Sequence, residues 1–438
     1  MKTESSKDTF GPSPMPIADR VPPVKEAMAV LVLDEWIPYP PDSGKRVRTW
    51  NLLRRLARHH SISLLCYGDP ESAAAQAMRS AGIALHTVEP LPDLAGWQLY
   101  GRLLGNVLSR NPYSVSKHDT PRFREALRRL LSESHFDLVH FEWTPYAAFM
   151  DETGDLPCLI MAHNIESQIW LRRAQQCQTF PERTYFGLQA RKMKAFERRV
   201  MPRADAVAGV TALDAQQAVA WGSHSTVLVE NGVDLDLFAP ASERARNADE
   251  LLFLGSLDWY PNQDAVEYLL EEILPLLVAR SPEVRLRIVG RRAPPHLAKR
   301  VAQSPGVELV GEVADVRPHL AQAAVVLVPL RIGGGSRIKI LEALAMGKAV
   351  VSTTIGAEGL AVTNGVHLLL GDSPEAFADS TLRLLKSPEE QARLGSEGRK
   401  LVEERYSWDR AAEALESAWL RVSRPSAAVS RQGVCKNA

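Results

Sequence analysis

The residues best suited to chemistry lie between Gly333 and Glu342, where a glycine run precedes a serine, two cations and an acid. Glycines lack a Cβ and let a ligand approach the backbone, and Ser336 is a common type of N-cap residue. Arg337 and Lys339 then fall in the first turn of a predicted helix, where a cation opposes the helix dipole by up to about 1 kcal/mol. A bound anion reverses that cost, so this order of residues predicts a phosphate site.

The acid at the end of this segment fits the same interpretation. Glu342 lies about one and a half turns after Arg337, close enough to accept hydrogen bonds from a sugar diol joined to the bound phosphates. The alternative is a flexible glycine loop that caps an exposed basic helix. Because a short apolar run precedes the glycines, and the cations and the acid follow them, the order favours a nucleotide site.

A second candidate segment, YPPDSGKRVR, runs from Tyr39 to Arg48. Gly44 marks a close approach of the backbone to a phosphate or an acceptor, between a predicted strand and its helix. In this interpretation Lys45, Arg46 and Arg48 face an anionic acceptor or the diphosphate from the opposite wall of a cleft. The alternative is a surface turn made of prolines.

A third candidate segment, LIMAHNIE, carries His163 and Asn164 at the end of a predicted buried strand and closes with Glu166. A single His at a strand end is often only a structural hydrogen-bonding group. Its place at the predicted cleft favours a site residue, with Glu166 as its acidic neighbour.

Asp234 and Asp236 invite comparison with a metal-binding Asp-x-Asp pair. They stand beside Asn231 and Gly232, and no His is close in sequence. Both acids are therefore interpreted as turn formers, and no metal site is predicted.

These candidates lie at the ends of short apolar runs that alternate with helix-length segments, the pattern of parallel α/β sheets. The first set of runs comprises Met28–Leu33, Ile62–Cys66, Ile83–Val88, Phe136–Phe141, Cys158–Ala162, Ala206–Val210 and Thr226–Val229. The second set comprises Leu251–Leu254, Val284–Val289, Val307–Val310, Ala324–Val328, Ala349–Ser352 and His367–Leu369. Ligands bind outside the carboxyl ends of such strands, so the cleft between the two sheets is the expected site.

The predicted organisation is two α/β domains, residues 28–231 and 232–407, with the boundary near Gly232. A helix over residues 408–423 then crosses back to the first domain. Residues 1–27 and 424–438 are predicted to be disordered tails, and the first of them lacks the apolar stretch of a secretory signal.

The composition is that of a soluble globular chain of 438 residues, 45% of them apolar, with 52 basic and 52 acidic side chains. Without an excess of cations, a nucleic-acid partner is disfavoured. The four cysteines include no C-x-x-C pair, which argues against a disulfide scaffold or a thiolate zinc site and indicates a reducing compartment. No apolar run approaches the roughly 18 residues needed to cross a bilayer, so any membrane contact is expected to be peripheral.

Two segments bear on such a contact. Between Leu94 and Leu108, apolar side chains including Trp97, Tyr100 and Leu104 share one helical face. The favoured interpretation is a helix docked on its own domain, and membrane contact is the alternative. The basic segment from Arg183 to Arg203 is predicted to be a solvated face, again with anionic lipid as the alternative.

The segment LRIGGGSRIKILEALAMGKAVVSTT, from Leu330 to Thr354, resembles the donor-site helix of the retaining GT-B glycosyltransferases often called group 1 or family 4. Four more segments resemble that family in order: Val229–Phe238, Leu252–Asn262, Leu286–Gly290 and Val307–Val313. The resemblance covers Ala29 to Leu420. It implies an α/β fold of the GT-B type, in which two Rossmann-like domains face each other across an interdomain cleft.

The resemblance also implies roles for individual residues. The catalytic group is His163, Arg337, Lys339 and Glu342. The donor-binding positions are Gly44, Gly255, Ser256, Gly290, Val313, Gly334, Gly335 and Ser336. The acceptor-side positions are Lys45, Arg48, Asn164 and Glu166.

Two departures from the family pattern change these expectations. The first of the family's two spaced glutamates falls on Gly334, which puts the identity of the donor sugar in question. The family's Arg and Lys after the second-domain glycine turn are replaced by Leu257 and Asp258. Arg337 and Lys339 are therefore expected to neutralise the leaving diphosphate.

The function implied is a hexosyltransferase-type transfer from a nucleotide-diphosphate sugar to a hydroxyl, with retention, in cytoplasmic synthesis of bacterial exopolysaccharide or cell-surface glycan. The expected acceptor is a glycan or a lipid-linked molecule, with peripheral contact at the inner membrane face. No metal and no cofactor beyond the sugar nucleotide are expected. The alternatives are a noncatalytic nucleotide-sugar or glycan-binding subunit, and an epimerase or hydrolase of nucleotide sugars on the same fold.

Overall fold

A computed structural model describes residues 27–92, 94, 96–177, 179–240, 247–332 and 337–423 of the chain. Gly334, Gly335 and Ser336 lie outside these residues, as do the two predicted tails apart from Ala27. Cys66, Cys158 and Cys177, which lie within them, are free thiols.

The first sheet has seven parallel strands within the described residues, in the order β3-β2-β1-β4-β5-β6-β7. The strands are β1 (Ala29–Trp36), β2 (Ser61–Tyr67), β3 (Ile83–Val88), β4 (Leu138–Phe141), β5 (Cys158–Ala162), β6 (Ala206–Gly209) and β7 (Thr226–Leu228). The helices are α1 (Gly44–Leu56), α2 (Ala73–Ser80), α3 (Gly96–Val107), α4 (Tyr113–His118), α5 (Pro121–Glu133), α6 (Glu166–Gln176), α7 (Phe180–Val200) and α8 (Ala212–Ala220), with 3₁₀ turns at Thr144–Glu152 and Met201–Arg203.

The second sheet has six parallel strands within the described residues, in the order β10-β9-β8-β11-β12-β13. Its strands are β8 (Glu250–Leu254), β9 (Arg285–Val289), β10 (Val307–Gly311), β11 (Val325–Val328), β12 (Ala349–Ser352) and β13 (Leu369–Leu370). Its helices are α9 (Tyr260–Tyr268), α10 (Leu274–Arg280), α11 (Pro295–Ala302), α12 (Arg317–Gln322), α13 (Ile338–Ala345), α14 (Pro374–Lys386) and α15 (Pro388–Arg405), with a π-helical turn at Leu269–Ile273.

Both sheets reverse their strand order once, between β1 and β4 in the first and between β8 and β11 in the second. Helices on both sides of such a reversal diverge and leave a crevice at the carboxyl ends of the strands. The predicted α/β class and the thirteen predicted strands are confirmed, because continuous apolar runs bounded by turns are typical of strands buried on both faces.

The last helix, α16 (Trp408–Ser423), lies against the first sheet although it follows the second in sequence. Its first turn is capped by Ser407, whose hydroxyl accepts a hydrogen bond from the Arg410 amide at 3.2 Å. Trp408 and Trp419 are buried in the same apolar cluster as β1 and α1. The position of the domain boundary near Gly232 stays a prediction.

The expectation for α3 is wrong in one respect. The apolar face of this helix was expected to dock on its own domain, but Trp97, Tyr100 and Leu104 are exposed, while Asn106 on the opposite face is buried. Asn106 is held from inside by Gln189 of α7 at 2.9 Å and by the Asn111 carbonyl at 3.1 Å. These hydrogen bonds turn the polar face inward.

Candidate functional site

The first-domain wall of the cleft is built where β1, β4 and β5 end. Asp34 lies near the end of β1, Glu142 directly follows β4 and His163 directly follows β5, and all three are buried. Adjacent parallel strands bring these side chains together, because their carboxyl ends share one edge of the sheet.

Lys45 joins this group from the first turn of α1, which begins at Gly44. Its ammonium forms an ion pair with Asp34 and lies 4.9 Å from the centre of the Trp143 ring. Burial alone would lower the pKa of Lys45, but the carboxylates around it, Asp34 above all, raise it, so the side chain is charged at neutral pH. Gly44 and Lys45 thus lie at the cleft edge of the sheet, as expected.

Arg48 does not face the cleft, which corrects the expectation that it meets an acceptor or the diphosphate. Its guanidinium is fully buried and donates to the carbonyl of Val229 at 2.6 Å and to the side chain of Asn231 at 2.8 Å. Arg48 therefore holds α1 to the segment that leaves β7. Burial lowers the pKa of Arg48 to about 10.

Glu142 is the centre of the first-domain wall, and sequence reasoning missed it. Its carboxylate lies 2.8 Å from the Thr49 hydroxyl, 3.0 Å from Nε2 of His140 and 3.1 Å from Nε2 of His163. Burial alone would raise the pKa of Glu142, but the two histidines hold it well below its usual range. The carboxylate is therefore ionised, and it fixes the His163 ring.

The ring of His140 is oriented from the last helix. Nδ1 of His140 accepts a hydrogen bond from the indole Nε1 of Trp419 at 3.0 Å. Because the indole nitrogen only donates, Nδ1 carries no proton and the proton sits on Nε2, which faces Glu142. Trp419, His140, Glu142 and His163 form a buried chain of polar contacts, the Glu142 chain.

His163 is therefore a neutral side chain with a defined orientation. Burial lowers its pKa, against the opposing effect of Glu142. The neighbouring Glu166 accepts from the indole of Trp143 at 2.9 Å, and burial raises its pKa. Asn164 lines a cavity described below. The structure thus brings His163, Glu166 and Lys45 to one edge of the first sheet.

The second-domain wall begins with a glycine turn after β8. A Cβ at Gly290, after β9, would collide with the carbonyl oxygen of Gly255, so this glycine lets the two strand ends pack together. Ser256 is held by Asp258 at 2.7 Å and by Arg291 at 2.8 Å. Val313 is partly buried beyond β10. Gly290 and Ser256 thus have structural partners within the protein.

Lys339 crosses from α13 to this turn. Its ammonium donates to the side-chain oxygen of Asn262 at 2.8 Å, in the first turn of α9, and lies 4.9 Å from the centre of the Phe253 ring. Burial lowers the pKa of Lys339 to about 7, and the nearby charge of Arg337 acts in the same direction. The helix thus delivers a cation to the glycine turn, where Leu257 and Asp258 stand.

Glu342 lies one turn beyond Lys339 on α13. Burial raises the pKa of Glu342 to about 8, and Lys339 opposes the shift. No residue in the described part of the chain donates a hydrogen bond to its carboxylate. Lys339 and Glu342 are therefore a partly buried pair with displaced pKa values, a feature that often marks functional sites.

Arg337 differs from the expectation, since α13 begins only at Ile338 and Arg337 takes the N-cap position with a left-handed φ of 48°. Its guanidinium donates to the Ile355 carbonyl at 2.8 Å and lies 3.5 Å from the Glu358 carboxylate. Glu358 is also held by Arg172 of the first domain through two contacts of 2.8 Å. Arg337 and Lys339 therefore have different partners, Ile355 and Glu358 for Arg337 and Asn262 for Lys339.

Arg337 borders a cavity of about 410 Å³ between the domains. Its other walls come from α6, α8 and the residues before them, among them Asn164, Thr211 and Asp214, and from Glu358, which follows β12. A second interdomain ion pair joins Arg291 to Asp42. Among the described residues, no three His, Cys, Asp or Glu side chains cluster so as to hold a metal ion.

The fold and the two walls define a two-domain architecture with a ligand cleft between parallel sheets. Residues 43–237 match the family model for Glycosyltransferase Family 4, and residues 248–387 match the model for Glycosyl transferases group 1. The chain belongs to the group 1 glycosyltransferases of the GT-B fold.

Two relatives show how far the likeness extends. The chain is 30% identical over 220 residues to a GDP-mannose-dependent monoacylated alpha-(1-6)-phosphatidylinositol monomannoside mannosyltransferase of Corynebacterium glutamicum, covering 45% of this chain and 56% of the relative. It is 32% identical over 204 residues to a phosphatidyl-myo-inositol mannosyltransferase of Mycobacterium tuberculosis, covering 44% and 53%. The chain thus spans about half the length of the curated relatives it matches.

Solved structures show the fold over nearly the whole chain. HepE from Anabaena, in complex with UDP and glucose, aligns with a TM-score of 0.64 at 14% identity, covering 89% of this chain and 99% of that one. Sucrose-phosphate synthase from Thermosynechococcus elongatus aligns with a TM-score of 0.68 at 19% identity, covering 90% and 98%.

Proposed function

We propose that the chain transfers a sugar from a nucleotide-diphosphate donor to a hydroxyl acceptor with retention of configuration. The observation that carries the proposal is the pair Lys339 and Glu342 on α13, both displaced in pKa, with the Lys339 ammonium bound to Asn262 next to the glycine turn after β8. A diphosphate and a ribose diol are the groups that such a cation and such an acid are suited to bind.

The donor wall acts through charge. When a diphosphate leaves, negative charge develops on it, and a fixed cation stabilises that charge in the transition state. Lys339 supplies this cation once the anion raises its pKa above about 7. Glu342 binds the ribose as a carboxylate, because only the ionised form accepts from both hydroxyls.

The first-domain wall positions the acceptor. Burial keeps His163 neutral and the adjacent Glu142 orients its ring, so His163 contributes a hydrogen bond rather than a charge. In a retaining transfer the bond from the anomeric carbon to phosphate breaks, and the new bond to the acceptor oxygen forms on the same face. The acceptor proton passes to the departing phosphate oxygen. Glu142 is engaged with Thr49 and two histidines, which argues against a role as the base.

The acceptor and the setting are part of the proposal. The names of the relatives from Corynebacterium and Mycobacterium specify mannosyl transfer to phosphatidylinositol lipids. This supports a lipid-linked or glycan acceptor here, in assembly of a bacterial cell-surface polysaccharide at the cytoplasmic face of the membrane. No described helix is long and apolar enough to span a bilayer. Independence from metal is also proposed, and undiminished turnover in EDTA is the expected result.

The test measures nucleotide binding and turnover in one set of variants. Titration calorimetry with GDP and with UDP should show binding of at least one nucleotide. Glu342→Gln should weaken it by about 1.5 to 3 kcal/mol, because a charge-assisted hydrogen bond to the ribose is lost. Glu375→Gln, an exposed glutamate on α14, is the matched control and should bind like the native chain. Equal affinity in the native chain and the Glu342→Gln variant would contradict the proposed donor site.

Turnover separates transfer from the alternatives. Acceptor-dependent release of nucleoside diphosphate, with the product anomer assigned by NMR, is expected. Nucleotide binding without any turnover would indicate a noncatalytic subunit. Turnover that no acceptor accelerates would indicate a hydrolase or an epimerase.

A further inference from the structure

Helix α3 exposes its apolar side chains to solvent. Four large ones are mostly exposed: Trp97 (80%), Tyr100 (68%), Leu104 (70%) and Leu108 (91%). At about 100° per residue they fall within an arc of about 80°, so they form one stripe, the α3 stripe. A contiguous exposed apolar patch on a folded domain marks a contact surface.

The orientation of the stripe is fixed by hydrogen bonds on the other side of the helix. Asn106 is buried and contacts Gln189 at 2.9 Å and the Ser116 hydroxyl at 3.1 Å. Lys192 of α7 donates to the carbonyl of Asn106 at 2.6 Å. The stripe cannot rotate inward without breaking these bonds. On its outer side, a Cβ at Gly101 or Gly105 would meet no other atom within 4 Å.

The surroundings of the stripe are strongly basic, although the chain as a whole has no net charge. Residues 94–118 include no acid and carry Arg102, Arg110 and Lys117. Across residues 183–203 seven cations accompany one acid, Glu197. Glu197 is buried, and burial raises its pKa to about 8, so it adds little negative charge at neutral pH.

The two basic segments are joined in space. Lys192 reaches the end of α3, and Arg199 donates to the side chain of Asn111 at 3.2 Å. Arg199 itself is exposed, as is Arg110, which follows α3. An apolar stripe beside exposed cations matches a surface that is apolar inside and negatively charged outside.

We propose that α3 and the adjoining face of α7 dock the protein on an anionic lipid bilayer, with the α3 stripe inserted among the acyl chains and the α7 cations against the headgroups. The surface lies apart from the donor cleft, and the inference does not depend on sugar transfer. It gives the first domain, whose wall is proposed to position the acceptor, a fixed contact with the membrane.

The test is sedimentation of the full chain with vesicles, without any nucleotide. Vesicles of phosphatidylcholine with added phosphatidylglycerol should bind the native chain, and added salt should weaken the binding. Vesicles of phosphatidylcholine alone should bind it at least about tenfold more weakly. Equal binding to both, or to neither, would overturn the proposal.

Two pairs of variants separate the parts of the surface. Trp97→Ser with Leu104→Ser should lower anionic-vesicle binding about tenfold or more, whereas Leu237→Ser, an exposed leucine of the second domain, should not. Arg110→Glu with Arg199→Glu should lower it by about fivefold for each cation lost. The control is Lys299→Glu with Lys386→Glu, which changes the net charge equally on the second domain.

Folding and self-association are checked on the same samples. All the substituted residues are exposed, so melting temperatures should stay close to the native value. Native vesicle binding in the Trp97→Ser, Leu104→Ser variant would overturn the proposal. A native dimer that this variant converts to a monomer, without vesicle binding by either, would assign the stripe to a second copy and also overturn it. Nucleotide binding, measured separately, reports on the proposed transfer alone.

Discussion

Two glutamates on opposite walls of the cleft, Glu142 buried and Glu342 partly buried, have opposite surroundings. Glu142 on the first-domain wall lies within hydrogen-bond distance of three side chains, and its pKa is held well below the usual range. Glu342 on the second-domain wall receives no hydrogen bond from a described residue, and burial raises its pKa to about 8. The protein's own side chains organise the first carboxylate, whereas no side chain among the described residues does so for the second.

The difference fits the roles proposed for the two walls. A wall that positions a neutral hydroxyl benefits from fixed orientation, which the Glu142 chain provides. A wall that binds a dianion and releases it must not neutralise its own cation beforehand. Lys339 accordingly has a neutral partner, Asn262, whereas Lys45 has a carboxylate, Asp34.

The largest expected effect separates Lys339 from Arg337. Lys339→Met should lower turnover by about a hundredfold or more, because a cation at the leaving diphosphate is removed. The unfolding free energy of the Lys339→Met variant should hold or rise. In the native protein burial lowers the pKa of Lys339, so this side chain destabilises the fold at every pH below its ordinary pKa, and the substitution removes that cost. Arg337→Met should instead lower the unfolding free energy by about 2 kcal/mol, because Glu358 and the Ile355 carbonyl lose a charged donor.

The measurements are turnover with saturating donor and thermal unfolding of the ligand-free protein. Should Arg337→Met abolish turnover while Lys339→Met leaves it intact, the diphosphate lies on the cavity side of α13 and the assignment of the donor wall is wrong.

The next largest effect separates two buried glutamates of the first domain, Glu142, which is ionised, and Glu197, which is mostly protonated. Glu142→Gln should lower the unfolding free energy by about 3 kcal/mol at pH 7, because a buried carboxylate among donors is lost. Glu197→Gln is the matched control: Glu197 is buried too, but its pKa of about 8 leaves it mostly protonated, so an amide replaces it at little cost.

The pH dependence of the Glu142 effect has a definite sign. A carboxylate with a depressed pKa stabilises the fold above its ordinary pKa of 4.5, and the contribution is lost as the pH falls through the folded value. Chemical denaturation across the acid range should therefore show native and Glu142→Gln stabilities converging. A constant difference between them would contradict an ionised Glu142.

A smaller effect is expected from the far end of the Glu142 chain. Trp419→Phe removes the donor that fixes the His140 tautomer and should cost about 1 kcal/mol of unfolding free energy. Turnover should fall with it, because the His140 ring that faces Glu142 loses the hydrogen bond that orients it. Trp408→Phe is the control, since Trp408 is buried on the same helix but its indole bonds to no described residue. Equal consequences in both variants would mean that Trp419 acts through packing alone.

The contrast between the two walls also shows what a sequence predicts. Lys339 and His163 follow from local signals, a glycine run before a helix and a polar residue at a strand end. The Glu142 chain does not, because its Trp419–His140 bond joins residues 279 positions apart. The sequence places Arg48 at the cleft for the same reason, because no local signal shows that the segment after β7 contacts its side chain.

Surface orientation has the same limit. The spacing of apolar residues in α3 predicts an apolar face but not the direction in which that face points. The direction is set by Asn106 and Gln189, which are 83 residues apart. A hydrophobic period of 3.6 residues therefore predicts a helix well, but it is a weak predictor of the surface against which that helix packs.

The smallest expected effect is in the net number of protons that the protein exchanges with solvent when the donor binds. Near pH 7.5 ligand-free Lys339, with a pKa of about 7, is mostly neutral, and Glu342, with a pKa of about 8, is mostly protonated. A diphosphate favours the ammonium form of Lys339, and a ribose diol favours the carboxylate form of Glu342. The proton lost by one group equals the proton gained by the other, so the native chain should bind nucleoside diphosphate with almost no net proton exchange.

Calorimetric titrations in buffers of different ionisation enthalpy measure this directly. In the Glu342→Gln variant only Lys339 changes its protonation, so nucleotide binding should take up close to one proton. In the Lys339→Met variant only Glu342 changes its protonation, so nucleotide binding should release close to one proton. Native-like proton balance in both variants would show that the two groups do not meet the nucleotide, and the two walls would then differ for a structural reason alone.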